Sequence, residues 1–276
     1  MSRNNHTNKL LFIGGGNIAG AVACGLVNSK TVPAANISVF DIDDSKFDKF
    51  SSIGINTYTD IIAASKDTDI IFLAVKPAIV KNIMQELSAI EGLLERVVVV
   101  SFAAAVSIKH ILESANKSFP VIRTMPSTPI LIGEGVLAVS RNDLVKDKVF
   151  QQFCQMMSSI AYVTVIEEEL MNPIISVHGS SPAYVYLFVK SMLDAAVAQG
   201  IPLESALPLV LKTIKGSVSM IEKSSDSIEQ LITNVASPNG TTLAALDVFN
   251  EKDFSKIIND AMSACTKRAN EISEEL

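Results

Sequence analysis

Leu10-Leu11-Phe12-Ile13-Gly14-Gly15-Gly16-Asn17-Ile18-Ala19-Gly20 is the stretch that decides the fold. Leu10 to Ile13 is a short apolar run with the length of a fully buried strand. Three glycines end it. Beyond them Ile18, Val22 and Leu26 recur at helical spacing, so the stretch reads as strand, tight turn, helix. Gly14-x-Gly16-x-x-Ala19 fits the dinucleotide fingerprint in the form that ends in alanine. Gly14 can take the dihedrals of the turn. Gly16, without a side chain, lets backbone approach a pyrophosphate, and Ala19 is small enough for close helix–strand packing. The helix N-terminus then offers free N–H groups and the positive end of a dipole to the phosphates. The same residues would also serve as a plain strand-to-helix turn; the flanking strand and helix favour the fingerprint.

Working outward, the chain of 276 residues is 48% apolar and 19% charged, which is a globular composition with ample core for one or two domains. A net charge of −6 without a Lys/Arg run argues against a nucleic-acid surface. Cys24, Cys154 and Cys265 are far apart and form no CxxC pair, so buried free thiols are expected, not disulfides or a zinc site. Met1 to Asn8 is polar and is not read as a signal peptide, and no apolar run has membrane-spanning length. A reducing cytoplasm is the expected location.

The second strand is expected at 36–40, ending at Asp41, about 25 residues past the glycines, where an acidic residue hydrogen-bonds the adenosine ribose. That carboxylate, with Asp43 and Asp44 and no following Arg, would repel a 2′-phosphate and favour NADH over NADPH. Asp41 could equally cap the turn that follows. A buried strand at 69–75 ends at Lys76-Pro77, which places Lys76 beside a bound cofactor or in a solvated loop. The pattern continues as a helix at 80–94, a strand at 96–101, a helix at 108–114, strands at 119–123 and 135–139, a helix at 147–158 and a strand at 162–166. The small residues of Ser101-Phe102-Ala103-Ala104-Ala105 would let a cofactor ring approach the backbone, and Pro126 and Pro129 would fix an extended loop. Alternating β and α predicts a doubly wound, mostly parallel Rossmann-type sheet over residues 1–168.

After about Glu167 strand patterns stop, and residues 169–276 read as an all-helical domain. Ser181 and Pro182 suit the N-cap and N1 positions of a helix at 183–199 that is apolar on nearly all sides, closed by Gly200. A helical domain of this size has little interior for such a helix, so dimerisation through it is expected. Helices at 203–224, 227–233, 243–249 and 253–272 follow. Between two of them lies Ser237-Pro238-Asn239-Gly240-Thr241-Thr242, with Asn-Gly favouring positive φ and the threonines placed to cap the next helix. It reads either as a structural turn or as an anion site suited to a carboxylate. His178, just before Gly179-Ser180-Ser181-Pro182, is read as structural, not catalytic.

Gly14-Gly15-Gly16-Asn17-Ile18-Ala19, Ala74-Val75-Lys76-Pro77, Arg123-Thr124-Met125-Pro126-Ser127-Thr128-Pro129, Gly179-Ser180-Ser181-Pro182-Ala183-Tyr184 and Ser237-Pro238-Asn239-Gly240-Thr241-Thr242 together resemble pyrroline-5-carboxylate reductase, from about Lys9 to Ile272. The resemblance implies that Ile13, Gly14, Gly15, Gly16, Asn17, Ile18, Asp41, Val75, Lys76, Pro77, Ala103, Ala104 and Met125 hold NADPH or NADH. It implies that Ser237, Asn239, Gly240, Thr241 and Thr242 cradle the substrate carboxylate, with the Thr242 hydroxyl at the ring nitrogen, and that the helical domain pairs in a homodimer able to build a decamer of five dimers. Ser127 stands where the family usually has Asn, and Asn239 where it has a second Gly. Related two-domain dehydrogenases and imine reductases place a Lys on the central helix; here it carries only Lys190, without the surrounding motif.

Overall fold

The computed structural model describes residues 8–276; most of the polar start, Met1 to Asn8, lies outside the described residues. Two compact units make up the chain: residues up to Ser180 together with Cys265–Leu276, and Ser181–Ala264. These units are drawn differently from the sequence division at 168/169, because 169–180 and the end of the last helix pack with the sheet unit.

In the first unit, β1 (Leu10–Ile13) leads through the glycines to α1 (Asn17–Asn28), then β2 (Ile37–Phe40), α2 (Asp48–Ser51), β3 (Asn56–Tyr58), α3 (Ile61–Ser65) and β4 (Ile70–Leu73). Then come α4 (Val80–Ser88), α5 (Leu93–Arg96), β5 (Val98–Ser101), α6 (Ile108–Ala115), β6 (Val121–Pro126), β7 (Gly135–Arg141), α7 (Asp147–Met157) and β8 (Ala161–Val165). The strands form one sheet in the order β3-β2-β1-β4-β5-β6-β7-β8, parallel except for β6 against β7. Phe12 sits between Val39 on one side and Phe72 on the other.

Alternation along β1 builds both faces, as expected of a sheet covered on each side. Leu10 and Phe12 point to the cluster holding Val22 and Leu26 of α1 and Phe153 of α7. Leu11 and Ile13 point to the cluster holding Met84 and Leu87 of α4 and Ile111 of α6. Phe12 stacks on Phe72 with ring centroids 4.4 Å apart. Strand order reverses between β1 and β4, and the crevice at the C-terminal ends of these strands is where ligands bind in such sheets.

Two expectations are corrected here, and one unread stretch is filled in. The helix expected at 80–94 is two helices, because Gly92 turns at φ +67° between α4 and α5. Thr57-Tyr58, too short to classify from sequence, belongs to the edge strand β3. Thr124-Met125-Pro126 is not loop but the end of β6, paired with β7. Pairing with β5 stops at Arg123, so Pro126 has no ladder bond to give on that side, which is the condition for proline in a strand. Cys24, Cys154 and Cys265 are free and half-buried.

The second unit contains α8 (Ser181–Ala198), α9 (Leu203–Lys223), α10 (Ile228–Val235), α11 (Thr241–Glu251) and the start of α12 (Phe254–Glu275). Ser181 is the first residue of α8, not its cap; the chain enters from a π-turn at Ile175–Gly179. Gly200 ends α8 at φ +87°, the left-handed conformation of a C′ residue. The Ser227 hydroxyl accepts the Gln230 N–H and caps α10. Helix α8 is apolar on nearly all sides, yet none of its residues is buried within the chain, and Tyr186 and Leu187 are 64% and 66% exposed. Among the described residues, no helix is long and apolar enough to cross a membrane.

Candidate active site

The glycine turn works by close approach. Gly14 has φ +100°, and a Cβ built on it would lie 2.5 Å from the Ala74 carbonyl oxygen. The two chain crossings at the ends of β1 and β4 therefore touch through backbone alone. Gly14 N–H donates to the Phe40 carbonyl, which ties the same turn to the end of β2. Around Gly16 a Cβ would meet nothing within 4 Å, so the N-terminus of α1 opens onto free space, and no side chain caps it. Ala19 is 1% exposed, in the tight contact the fingerprint requires. A cleft of about 420 Å³ opens beside this turn, lined by Ile13, Gly14, Gly16, Asp41, Val75 and Lys76 among others.

Asp41 closes one end of the cleft. Its carboxylate accepts the Gly15 N–H at 2.7 Å and the Asp43 N–H at 3.0 Å, and both oxygens lie 3.0 Å from Lys46 Nζ. Burial alone would raise the Asp41 carboxyl, but the two backbone N–H bonds and the Lys46 ammonium outweigh it and hold the group below the ordinary carboxylate value. Lys46 is a site residue that sequence reasoning missed: with no Arg in sight, only acidic residues were weighed. Its signal was its place five residues past Asp41, one turn into Asp43-Asp44-Ser45-Lys46.

Lys76 precedes Pro77, which opens a 3₁₀ turn at Pro77–Ile79. Ala103 is buried, and its N–H donates to the Ser101 hydroxyl at 3.2 Å; the Thr124 hydroxyl donates to the Ser101 carbonyl at 2.8 Å. Met125 lies at the end of β6, and its carbonyl is 2.7 Å from His178 Nε2. The His178 ring is thus engaged by a backbone carbonyl. Ser127 is buried; its hydroxyl accepts the Val136 N–H at 2.9 Å and pins the β6–β7 connection. The first unit therefore gathers Ile13 to Ile18, Asp41, Val75 to Pro77, Ala103, Ala104 and Met125 at the C-terminal edge of one sheet. Uncapped helix N–H groups, an open face at Gly16 and a carboxylate at the end of β2 suit the pyrophosphate and ribose of a dinucleotide.

Ser237, Asn239, Gly240, Thr241 and Thr242 belong to the second unit, in the turn from α10 into α11. Asn239 has φ +60°, so the amide does take the left-handed conformation that a glycine would take there. Gly240 N–H donates to the Ser237 carbonyl at 3.0 Å. A Cβ on Gly240 would lie 2.9 Å from that carbonyl oxygen, so the turn closes only around a glycine. One expectation is corrected: the threonines do not cap α11. Gly240 is the N-cap, makes no side-chain cap bond, and leaves Thr241 and Thr242 as the first two helical residues. Their N–H groups are among those with no partner inside the helix, which sharpens the anion-site geometry. Thr242 also lines an apolar cleft of about 350 Å³ with Met220, Ile232, Val235 and Leu246.

The sheet unit defines the class: a nicotinamide-dinucleotide oxidoreductase fold with a helical second half. The model of a family described as pyrroline-5-carboxylate reductase dimerisation matches residues 168–272, and one described as NADP oxidoreductase, coenzyme F420-dependent, matches residues 9–105. The pyrroline-5-carboxylate reductase of Escherichia coli (strain K12) is 32% identical over 267 residues, covering 96% of this chain and 98% of its own. That of Corynebacterium melassecola is 33% identical over 270 residues, again with 96% and 98% covered. The crystal structure of Plasmodium falciparum pyrroline carboxylate reductase with NADP bound has a TM-score of 0.88 at 28% identity, covering 97% of this chain and 98% of that one. This chain belongs to the pyrroline-5-carboxylate reductase family.

Proposed function

We propose that this chain reduces 1-pyrroline-5-carboxylate to proline by hydride transfer from NADPH or NADH, the last step of proline biosynthesis. The observation that carries the substrate is the Ser237–Thr242 turn. Its left-handed Asn239, its required Gly240 and its uncapped helix start together make a seat for a carboxylate. Relatives that span nearly the whole chain bear the reductase name.

A bound reduced nicotinamide supplies the hydride. Residues Ile13 to Ile18 hold the pyrophosphate, Asp41 meets the adenosine ribose, and Val75, Lys76, Pro77, Ala103, Ala104 and Met125 line the way to the ring. The Ser237–Thr242 turn holds the substrate carboxylate, and the Thr242 hydroxyl orients the imine nitrogen. A protonated imine is already a good electrophile, so no strong general acid is demanded and positioning is the protein's main work. NADH is the donor this charge balance favours: two carboxylates, Asp41 and Asp43, lie within ion-pair distance of the one ammonium of Lys46 in the loop after β2. Lys46 narrows that preference without reversing it.

The division of labour we infer is a cofactor half over 1–168 and a dimerisation and substrate half over 169–276, with 169–180 and 265–276 packed on the sheet unit and serving it. Val185, Tyr186, Leu187 and Phe188 are exposed along α8 in the single chain, which supports a homodimer through this helix. We take the dimer to be able to build a decamer of five dimers, and the compartment to be the cytoplasm. The dehydrogenase reading that relies on a central-helix Lys is disfavoured, since Lys190 stands without the motif that surrounds that lysine.

The test is turnover of each dinucleotide with pyrroline-5-carboxylate against a panel of 2-hydroxy and 3-hydroxy acids. Turnover confined to the imine, with kcat/KM higher for NADH, is expected. Turnover of a hydroxy acid alone would overturn the reaction; a strong NADPH preference would overturn the Asp41 argument.

A further inference from the structure

Ala105 has φ +63° and is 2% exposed, a left-handed conformation that costs a residue with a Cβ and persists only where its surroundings impose it. It directly follows Ala103 and Ala104, the two residues assigned above to the cofactor. A local turn bond, Val106 N–H to the Ala103 carbonyl at 3.4 Å, spans it, and a second hold comes from the far end of the chain. The Ser273 hydroxyl, in the last turns of α12, lies within hydrogen-bond distance of the Ala105 carbonyl, to which it donates. Ser273 Oγ in turn accepts the Asn172 amide at 3.0 Å, and Asn172 Oδ1 accepts Arg123 Nη2 at 2.6 Å. Arg123 is 5% exposed, and its other nitrogen pairs with Glu168 at 3.4 Å. The same Glu168 oxygen accepts the Ile108 N–H at 2.7 Å, three residues past Ala105. Ala104, Ala105 and Met125 pack against Ile175, Cys265, Ala269 and Ile272, so the apolar contacts run the same way as the polar ones. All of these residues lie in the first unit.

We propose that Ser273 is a positioning residue for the cofactor: by holding the Ala105 carbonyl it keeps the Ala103–Ala105 turn in the strained form that the nicotinamide half of the dinucleotide meets. The Asn172 amide, itself held by Arg123, donates to the Ser273 oxygen and fixes it between two acceptors, the Ala105 carbonyl and the more distant Ala269 carbonyl at 3.1 Å along α12. The last turns of the C-terminal helix are thereby part of the cofactor site without touching the cofactor. The inference rests on the placement of the cofactor at Ala103 and Ala104.

The experiment measures dinucleotide Kd, KM and kcat for the full-length chain and for Ser273→Ala, Ser273→Thr, Ala105→Gly and the Ala105→Gly/Ser273→Ala double variant. Ser273→Ala raises Kd and KM for the dinucleotide about tenfold with kcat at saturation within about twofold, and Ser273→Thr, which keeps the hydroxyl, restores binding. Glycine adopts φ +63° without strain. Adding Ser273→Ala to Ala105→Gly therefore changes Kd by less than twofold relative to Ala105→Gly alone. Equal losses from Ser273→Ala with and without Ala105→Gly would overturn the proposal, as would no loss at all. Failure of the unaltered chain to bind either dinucleotide would strike the proposed function itself, separately from Ser273.

Discussion

Replacing Thr242 by alanine lowers kcat about a hundredfold, the loss typical of a misplaced reactant, and leaves dinucleotide Kd within about twofold. Thr242 is the second residue of α11, after an N-cap that uses no side chain, so its hydroxyl is not consumed in closing the helix. Removing it leaves the turn intact: Gly240 still bonds Ser237, and Asn239 keeps its left-handed backbone. The carboxylate seat survives, so the substrate KM changes far less than kcat. Thr242→Ser keeps the oxygen and recovers most of the rate. Steady-state kinetics with a separate dinucleotide titration reads this. Near-parental turnover by Thr242→Ala would remove Thr242 from the reaction.

The second large effect is at the glycine turn, where two substitutions of the same size behave differently. Gly14→Ala forces a Cβ to 2.5 Å from the Ala74 carbonyl at φ +100°, against backbone that cannot yield without parting β1 from β4. Left-handed strain and overpacking together cost about 3 kcal/mol. Thermal unfolding moves down by several degrees and dinucleotide binding is lost with it. Gly16→Ala adds its Cβ to open space, so the unfolding temperature is expected to hold within about 2 °C. On the proposed cofactor placement that open space is where backbone meets the pyrophosphate, so affinity is expected to fall at least tenfold without any loss of fold. Calorimetry beside a binding titration separates the two. Equal destabilisation by both would mean that Gly16 is glycine for packing alone.

The fold was legible wherever a pattern had one physical cause. Leu10 to Ile13 and Ile70 to Val75 are continuous apolar runs because both faces of the sheet are covered, and both belong to central strands. Edge strand β3 was not legible, since three half-exposed residues carry no periodicity. Pro126 misled, because a proline ends a strand only where its N–H would have been needed. The polar chemistry was less readable still. Asp41 was found by spacing, but its partner Lys46 was not, because an ion pair that folds back within a loop leaves no period. Ser273 and Ala105 are 168 residues apart, and nothing local marks either as a partner of the other.

The central claim is that hydride passes from the dinucleotide to the imine carbon of pyrroline-5-carboxylate. It is tested most directly by following the label from dinucleotide deuterated at the transferring C4 position into product by mass spectrometry. Proline carrying one deuterium at C5, in step with dinucleotide oxidation, is the predicted result. Dinucleotide oxidised without deuterated proline would contradict it.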